Sequence, residues 1–308
     1  MDAPIPPRNL PPGRIVEVEG RGEMFVRERP ASAPGAPTIL LLHGWTASAD
    51  LNWFRVYDTI GPRARLIAVD HRGHGRGLRT TERFSLEDAA DDAAALLRQF
   101  GAWPATVVGY SMGGPISLLL WHRHPEVVNG LVLEATALEW RATARERFLW
   151  RFMGALEFVL RSGRPRGLLD RELRKAVKVS PDLAPLVPWL KAELRRGDPE
   201  ALADAGRALG LYDARPFAGS VDVPTAVVVT TKDRLVRPKK QRELAAAIPG
   251  ATAFAIAADH DACLVRAEEF CRVTAAALED VLARIGGDQA DLTLGLTESS
   301  TRVAGWGV

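Results

Sequence analysis

Ser111 stands in VVGYSMGGP (107–115), between paired glycines, with an apolar run before it and an apolar, helix-like run after it. A serine hydroxyl attacks a carbonyl only when a base removes its proton and a third group orients that base. The chemistry to look for is acyl transfer to serine, and the partners to look for are a histidine and a carboxylate. At about 7% usage each for Gly and Ser, G-x-S-x-G arises by chance in roughly one chain in ten of this length, so the motif needs its surroundings.

The chain has six histidines. His43 lies in LLHGW after an apolar run, His71 and His74 share the glycine-rich DHRGHGRG, and His122 and His124 end a helix-like segment. His260, in AADHDAC, alone follows a strand-like run late in the chain. Asp233 lies just past another such run, TAVVVTTK. Open α/β sheets bind ligands at the carboxyl ends of their strands. Ser111, Asp233 and His260 therefore form one candidate set, in the order Ser…Asp…His. Asp259 and Asp261 flank His260, but sequence neighbours on an extended loop rarely face the same way. His71-x-x-His74 has metal-ligand spacing, yet no further ligands accompany it, so no metal is expected.

Positioning these residues requires a sheet. RIVEVE (14–19) and EMFVRE (23–28) flank a Gly-Arg-Gly turn and read as a hairpin. TILLLHG, RLIAVD, ATVVGY, GLVLEAT, TAVVVTT and ATAFAIA read as buried strands. Between them lie helical patterns, notably SLEDAADDAAALLRQFG (85–101), with Ser85 as N-cap and Gly101 as stop. Alternating strands and helices imply a mostly parallel sheet covered on both faces. The alternation stops between Ala137 and Val223, which reads as a helical insertion. The expected organisation is a core over 14–136 and 224–284, an inserted unit over 137–223, and flexible termini at 1–13 and 286–308. Strand, sharp turn and helix around Ser111 make the motif a nucleophile elbow, whose small neighbours at Gly109 and Gly113 let the turn close.

Composition sets the outer bounds. The chain has 308 residues, 47% of them hydrophobic, and a net charge of +2. That balance demands no nucleic acid or other strongly charged partner. Cys263 and Cys271 are the only cysteines and lie eight positions apart in a helical-looking stretch, too far along one helix to bridge. Two free thiols and a start (MDAPIPPRNLPPG) without a signal-type apolar core fit a cytoplasmic protein. No run approaches a membrane span.

These blocks together resemble the α/β-hydrolase superfamily over roughly residues 14–284. LLHGW, VDHRGHGRG, GYSMGG, TTKDRLV and ADHD occur in the family's order. The resemblance implies an eight-stranded, mostly parallel sheet, with a helical cap inserted after the sixth strand, where 137–223 falls. It implies an oxyanion hole from the backbone N–H groups of Trp45 and Met112, and a structural role for His43. Some members carry the acid at the place of Glu134, which makes Glu134 a rival to Asp233.

The implied activity is hydrolysis of an ester or related acyl bond through an acyl-enzyme on Ser111, of esterase or lipase type, with no cofactor. Members with a carboxylate nucleophile are disfavoured by the serine. Perhydrolases, carbon–carbon bond hydrolases, acyltransferases and triad-retaining ligand receptors share the same residues and stay open as alternatives. The expected partner is a small acyl substrate, lipid-like ones included; the oligomeric state is not legible. Trp45 and Trp53 stand near the expected pocket mouth, with core packing as the competing role. Residues 141–178 carry eleven Arg and Lys against four Asp and Glu, around the apolar FLWRFMGALEFVL (148–160). Those cap residues either pack on the main domain and show their arginines to water, or roof an acyl pocket with a basic rim that attracts anionic substrates or a membrane surface.

Overall fold

Runs of Val, Leu and Ile form strands where both faces can be buried, and the chain has six such runs in series after its hairpin. The computed structural model describes residues 5–61, 64–141, 178 and 180–286. In chain order the elements are β1 (Gly13–Val18), β2 (Gly22–Arg29), β3 (Thr38–Leu42), α1 (Ala49–Trp53), β4 (Arg65–Val69), α2 (Leu86–Gln99), β5 (Ala105–Tyr110), α3 (Gly113–Arg123) and β6 (Val128–Glu134). Then follow α4 (Val187–Leu194), α5 (Pro199–Leu211), β7 (Thr225–Thr230), α6 (Pro238–Ala247), β8 (Thr252–Ile256), α7 (Ala262–Val265) and α8 (Ala267–Gly286). The eight strands make one sheet in the order β1-β2-β4-β3-β5-β6-β7-β8. β1, β2 and β4 pair antiparallel; every other pairing is parallel. The α/β architecture expected from the alternation is the one present.

Period-two alternation sorts each strand between two cores. Leu40, Leu42, Val107, Leu131, Leu133, Val227 and Val229 face α2 and α3. Ile39, Leu41, Val108, Tyr110, Val132 and Val228 face α1 and α8. Each such side chain withdrawn from water contributes about 1.5–3 kcal/mol, so the sheet's centre is its most strongly fixed part. β5 and β7, buried at every position, carry Ser111 and Asp233 at their ends. Ser85 caps α2 as expected, its hydroxyl accepting the Asp88 N–H at 2.9 Å.

The stretch after β6 leaves and rejoins the core at one point. The Ala214 N–H donates to the Leu138 carbonyl at 2.8 Å. Glu139 and Asp213 form an antiparallel bridge beside it. Lys240 of α6 closes this base, with Nζ 3.1 Å from Glu139 Oε1. Beyond it, Ala214, Ala218 and Val221 pack into the core on the α2–α3 face, although the sequence groups them with the helical stretch. The apolar run 148–160 and all but Arg141 and Lys178 of the basic residues counted in 141–178 lie outside the described residues.

Two sequence expectations are refined. Part of the N-terminal arm is docked: Asn9 Nδ2 donates to the Phe54 carbonyl at 2.6 Å, and Leu10 packs against the cores. Cys263 and Cys271 fall on separate helices, α7 and α8, and both are free thiols. Among the described residues no helix is long and apolar enough to cross a membrane.

Candidate active site

The turn between β5 and α3 puts Ser111 in the left-handed region, at φ +53°. A non-glycine residue is uncommon there, and the strain persists because its surroundings admit nothing else. A Cβ on Gly109 would lie 2.4 Å from the Gly113 carbonyl oxygen. One on Gly113 would lie 2.1 Å from the Leu42 carbonyl oxygen. The Ser111 N–H donates to the Glu134 carbonyl at 2.8 Å, tying the turn to the end of β6. Glycine on both sides is therefore a packing requirement, and the serine hydroxyl stands at the start of α3.

The three sequence-selected side chains meet. His260 Nε2 lies 3.0 Å from Ser111 Oγ. His260 Nδ1 lies 2.8 Å from Asp233 Oδ2. With Nδ1 donating to the carboxylate, Nε2 is left to accept the serine proton. Asp233 is itself held on all sides. Oδ1 accepts the N–H groups of Leu235 and Val236, each at 2.8 Å. Oδ2 also accepts the Thr230 hydroxyl at 2.8 Å and Gln241 Nε2 at 3.3 Å. The His260 backbone is fixed by Tyr110, whose hydroxyl donates to its carbonyl at 2.7 Å. Asp259 accepts the His260 N–H at 2.8 Å and so shapes the loop without touching the imidazole.

Glu134 does not join this set. One of its oxygens accepts the Thr274 hydroxyl at 2.7 Å, and the other has no hydrogen-bond partner. Burial with so little compensation pushes its carboxyl up to about 8. Burial likewise raises Asp261.

Trp45 lies in the loop after β3 and Met112 in the turn after Ser111. Met112 is the N-cap of α3, directly after Ser111. A Cβ on Gly44 would sit 3.2 Å from that of Ser111, so the 43–48 loop runs alongside the serine. Among the described residues no acceptor pairs with either N–H. The Trp45 indole points to the insertion, its Nε1 donating to the Leu202 carbonyl at 2.7 Å. Trp53 is core: it is fully buried, stacked on Phe270 and edge-on to Tyr110.

The remaining histidines are apart from the serine. His43, His71 and His74 form a buried cluster, with the His71 N–H donating to His43 Nε2 at 3.0 Å. Desolvation lowers His43 well below its usual range and His71 to about 3, so both are neutral. His122 is exposed and stacks on Phe217, and His124 faces Asp91. Among the described residues no group of three or more His, Cys, Asp or Glu could hold a metal ion. Sequence reasoning missed Gln241, Thr230 and Tyr110. Tyr110 had the one available signal, its place within G-Y-S.

A sequence model of the alpha/beta hydrolase fold matches residues 37–267. The chain is 30% identical over 226 residues to a pimeloyl-[acyl-carrier protein] methyl ester esterase of Neisseria meningitidis, covering 69% of this chain and 82% of that one. It is 30% identical over 254 residues to the protein of the same name from Chromobacterium violaceum, covering 79% of this chain and 94% of that one. Among solved structures, the enol-lactonase from Burkholderia xenovorans LB400 superposes with a TM-score of 0.75 at 24% identity, over 86% of this chain and 99% of that one.

Proposed function

This chain belongs to the alpha/beta hydrolase fold family, and on that footing we propose that it is an ester hydrolase working through an acyl-enzyme on Ser111. The observation that carries this reading is the unbroken chain from Ser111 Oγ to His260 Nε2 at 3.0 Å and from His260 Nδ1 to Asp233 at 2.8 Å. His260 takes the serine proton as Oγ attacks the ester carbonyl. Asp233 holds the imidazole in the correct tautomer and stabilises its charged form. The oxyanion is received by the Met112 and Trp45 N–H groups, at the N-terminus of α3, where the helix dipole favours negative charge. The tetrahedral intermediate collapses, and His260 gives its proton to the departing alcohol. Water then enters, loses a proton to His260 and releases the acid, leaving Ser111 free. Within this reading α4 and α5 are the described part of the cap expected over 137–223. The esterase names of the relatives support an ester as the bond cleaved, and methyl esters of acyl chains as the first substrates to try.

Steady-state rates on such esters, with labelling by a fluorophosphonate probe, test the proposal. Ser111→Ala is expected to stay folded, to lose labelling and to lose turnover by a factor on the order of 10⁶, as in the best-studied serine hydrolase. Full activity or surviving label in that variant would remove Ser111 from the mechanism.

A further inference from the structure

Two helices of the insertion grip the loop that follows β3. That loop, residues 43–48, carries the Trp45 N–H and is strained. Thr46 lies at φ +62°, where a β-branched residue is a genuine outlier. Such a conformation persists only when its neighbours over-determine it.

Both flanks of Thr46 are held from the insertion. On one side the Trp45 indole N–H donates to the Leu202 carbonyl of α5 at 2.7 Å. On the other the Ser48 hydroxyl donates to Glu193 Oε2 of α4 at 2.8 Å, and accepts the Leu51 N–H of α1 at 3.1 Å. The Glu193 side chain is wholly buried, and its second oxygen accepts from Arg76 and Arg196. Arg76 in turn faces Asp50 and Asp70, and Asp70 accepts the Ala49 N–H at 2.7 Å. The next loop is tied in as well. The Asp198 N–H donates to the Gly73 carbonyl at 2.7 Å. A Cβ on Gly73 would lie 2.1 Å from that of Ala201, so only glycine lets α5 approach so closely.

We propose that α4 and α5 clamp the 43–48 loop and set the place of the Trp45 N–H, with Glu193 as a positioning residue for the oxyanion. This rests on the reading of Trp45 as an oxyanion donor. A buried ion pair adds little net stability over apolar packing, but it fixes the groups it joins in one geometry. Here the pair holds Ser48, two residues after the strained Thr46, while the Leu202 carbonyl holds Trp45 just before it.

Glu193→Gln keeps the side chain's shape and removes the charge that joins Ser48 to Arg76. On a neutral ester its kcat falls by about tenfold or more with KM little changed, because a misplaced donor is felt mainly in the transition state. The dissociation constant for phenylboronic acid, which forms a tetrahedral anion on a reactive serine, rises by a matching factor. Trp45→Phe keeps a ring but loses the indole N–H, gives the same pattern, and serves if Glu193→Gln does not fold. Unchanged kcat and boronate affinity in a folded variant, with only a lower melting temperature, overturns the clamp. So does a fall in kcat without a matching loss of boronate affinity. Failure of the underlying reading looks different: the unaltered protein would not bind the boronate, or binding would survive Ser111→Ala.

Discussion

Asp233 and Glu134 lie at the carboxyl ends of adjacent parallel strands, β7 and β6, and both are buried, yet they differ in nearly every polar contact. After β7 the chain curls back, so that two backbone N–H groups, Thr230, Gln241 and His260 all converge on the Asp233 carboxylate. After β6 it turns sharply at Ala135, φ +48°, and Glu134 is left with the Thr274 hydroxyl alone. A buried carboxylate can hold its charge when several donors replace water, and otherwise keeps its proton. The strand end offers the place, and the loop behind it decides whether the acid can orient a histidine.

The sharpest way to break this contrast is to replace each acid by its amide in turn. Asp233→Asn keeps the size but lets His260 adopt the wrong tautomer, and kcat is expected to fall on the order of 10⁴-fold, as for the equivalent change in a serine protease. Glu134→Gln should leave kcat essentially unchanged. The reverse outcome in steady-state kinetics would move the orienting acid to β6.

A smaller effect is expected from thinning the donors around Asp233. Gln241→Leu loses the contact to Oδ2 and leaves the Thr230 N–H and the Val236 carbonyl without their side-chain partner. A drop in kcat of about tenfold should follow, the worth of one hydrogen bond to a charged group, with about 1–3 kcal/mol less stability in urea titrations. Unaltered kcat would mean that the remaining donors suffice.

The gentlest test concerns stability alone. Glu134 holds its proton up to about 8 when folded, against 4.5 for an ordinary glutamate. Across that interval the folded chain binds more protons than the unfolded one. The group's contribution is complete below pH 4.5 and is lost as pH rises through about 8, by at most about 1.4 kcal/mol per pH unit. Urea midpoints measured from pH 5 to 9 should therefore decline less steeply in Glu134→Gln than in the unaltered protein. Parallel curves would show that Glu134 keeps its charge after all.

Much of this site could be read from sequence because its parts are local. Ser111, Asp233 and His260 each follow a continuous apolar run, and the crowding that demands Gly109 and Gly113 is visible as two glycines. The choice between Asp233 and Glu134 was less legible, since both end strands. What separates them is the Gln241 side chain, eight residues downstream on α6, and two N–H groups aimed by a turn. Trp45 and Trp53 were indistinguishable by type, and only packing sends one into the core and the other to the Leu202 carbonyl. Glu193 gave no signal, because its partners Ser48 and Arg76 lie more than a hundred positions away in the chain.

The base of the insertion has a bearing on how such a protein can change over time. Leu138 meets Ala214 and Glu139 meets Asp213, with Lys240 closing the junction, so the excursion begins and ends at a single seam. Whatever is spliced in above that seam leaves the spacing of β6 and β7 alone. Lengthening a flexible connection twofold adds only about 0.6 kcal/mol of closure entropy. An excursion of another length can thus leave from the same seam without disturbing the sheet. The part of it that touches Ser48 and Trp45 is the part such grafting would have to spare.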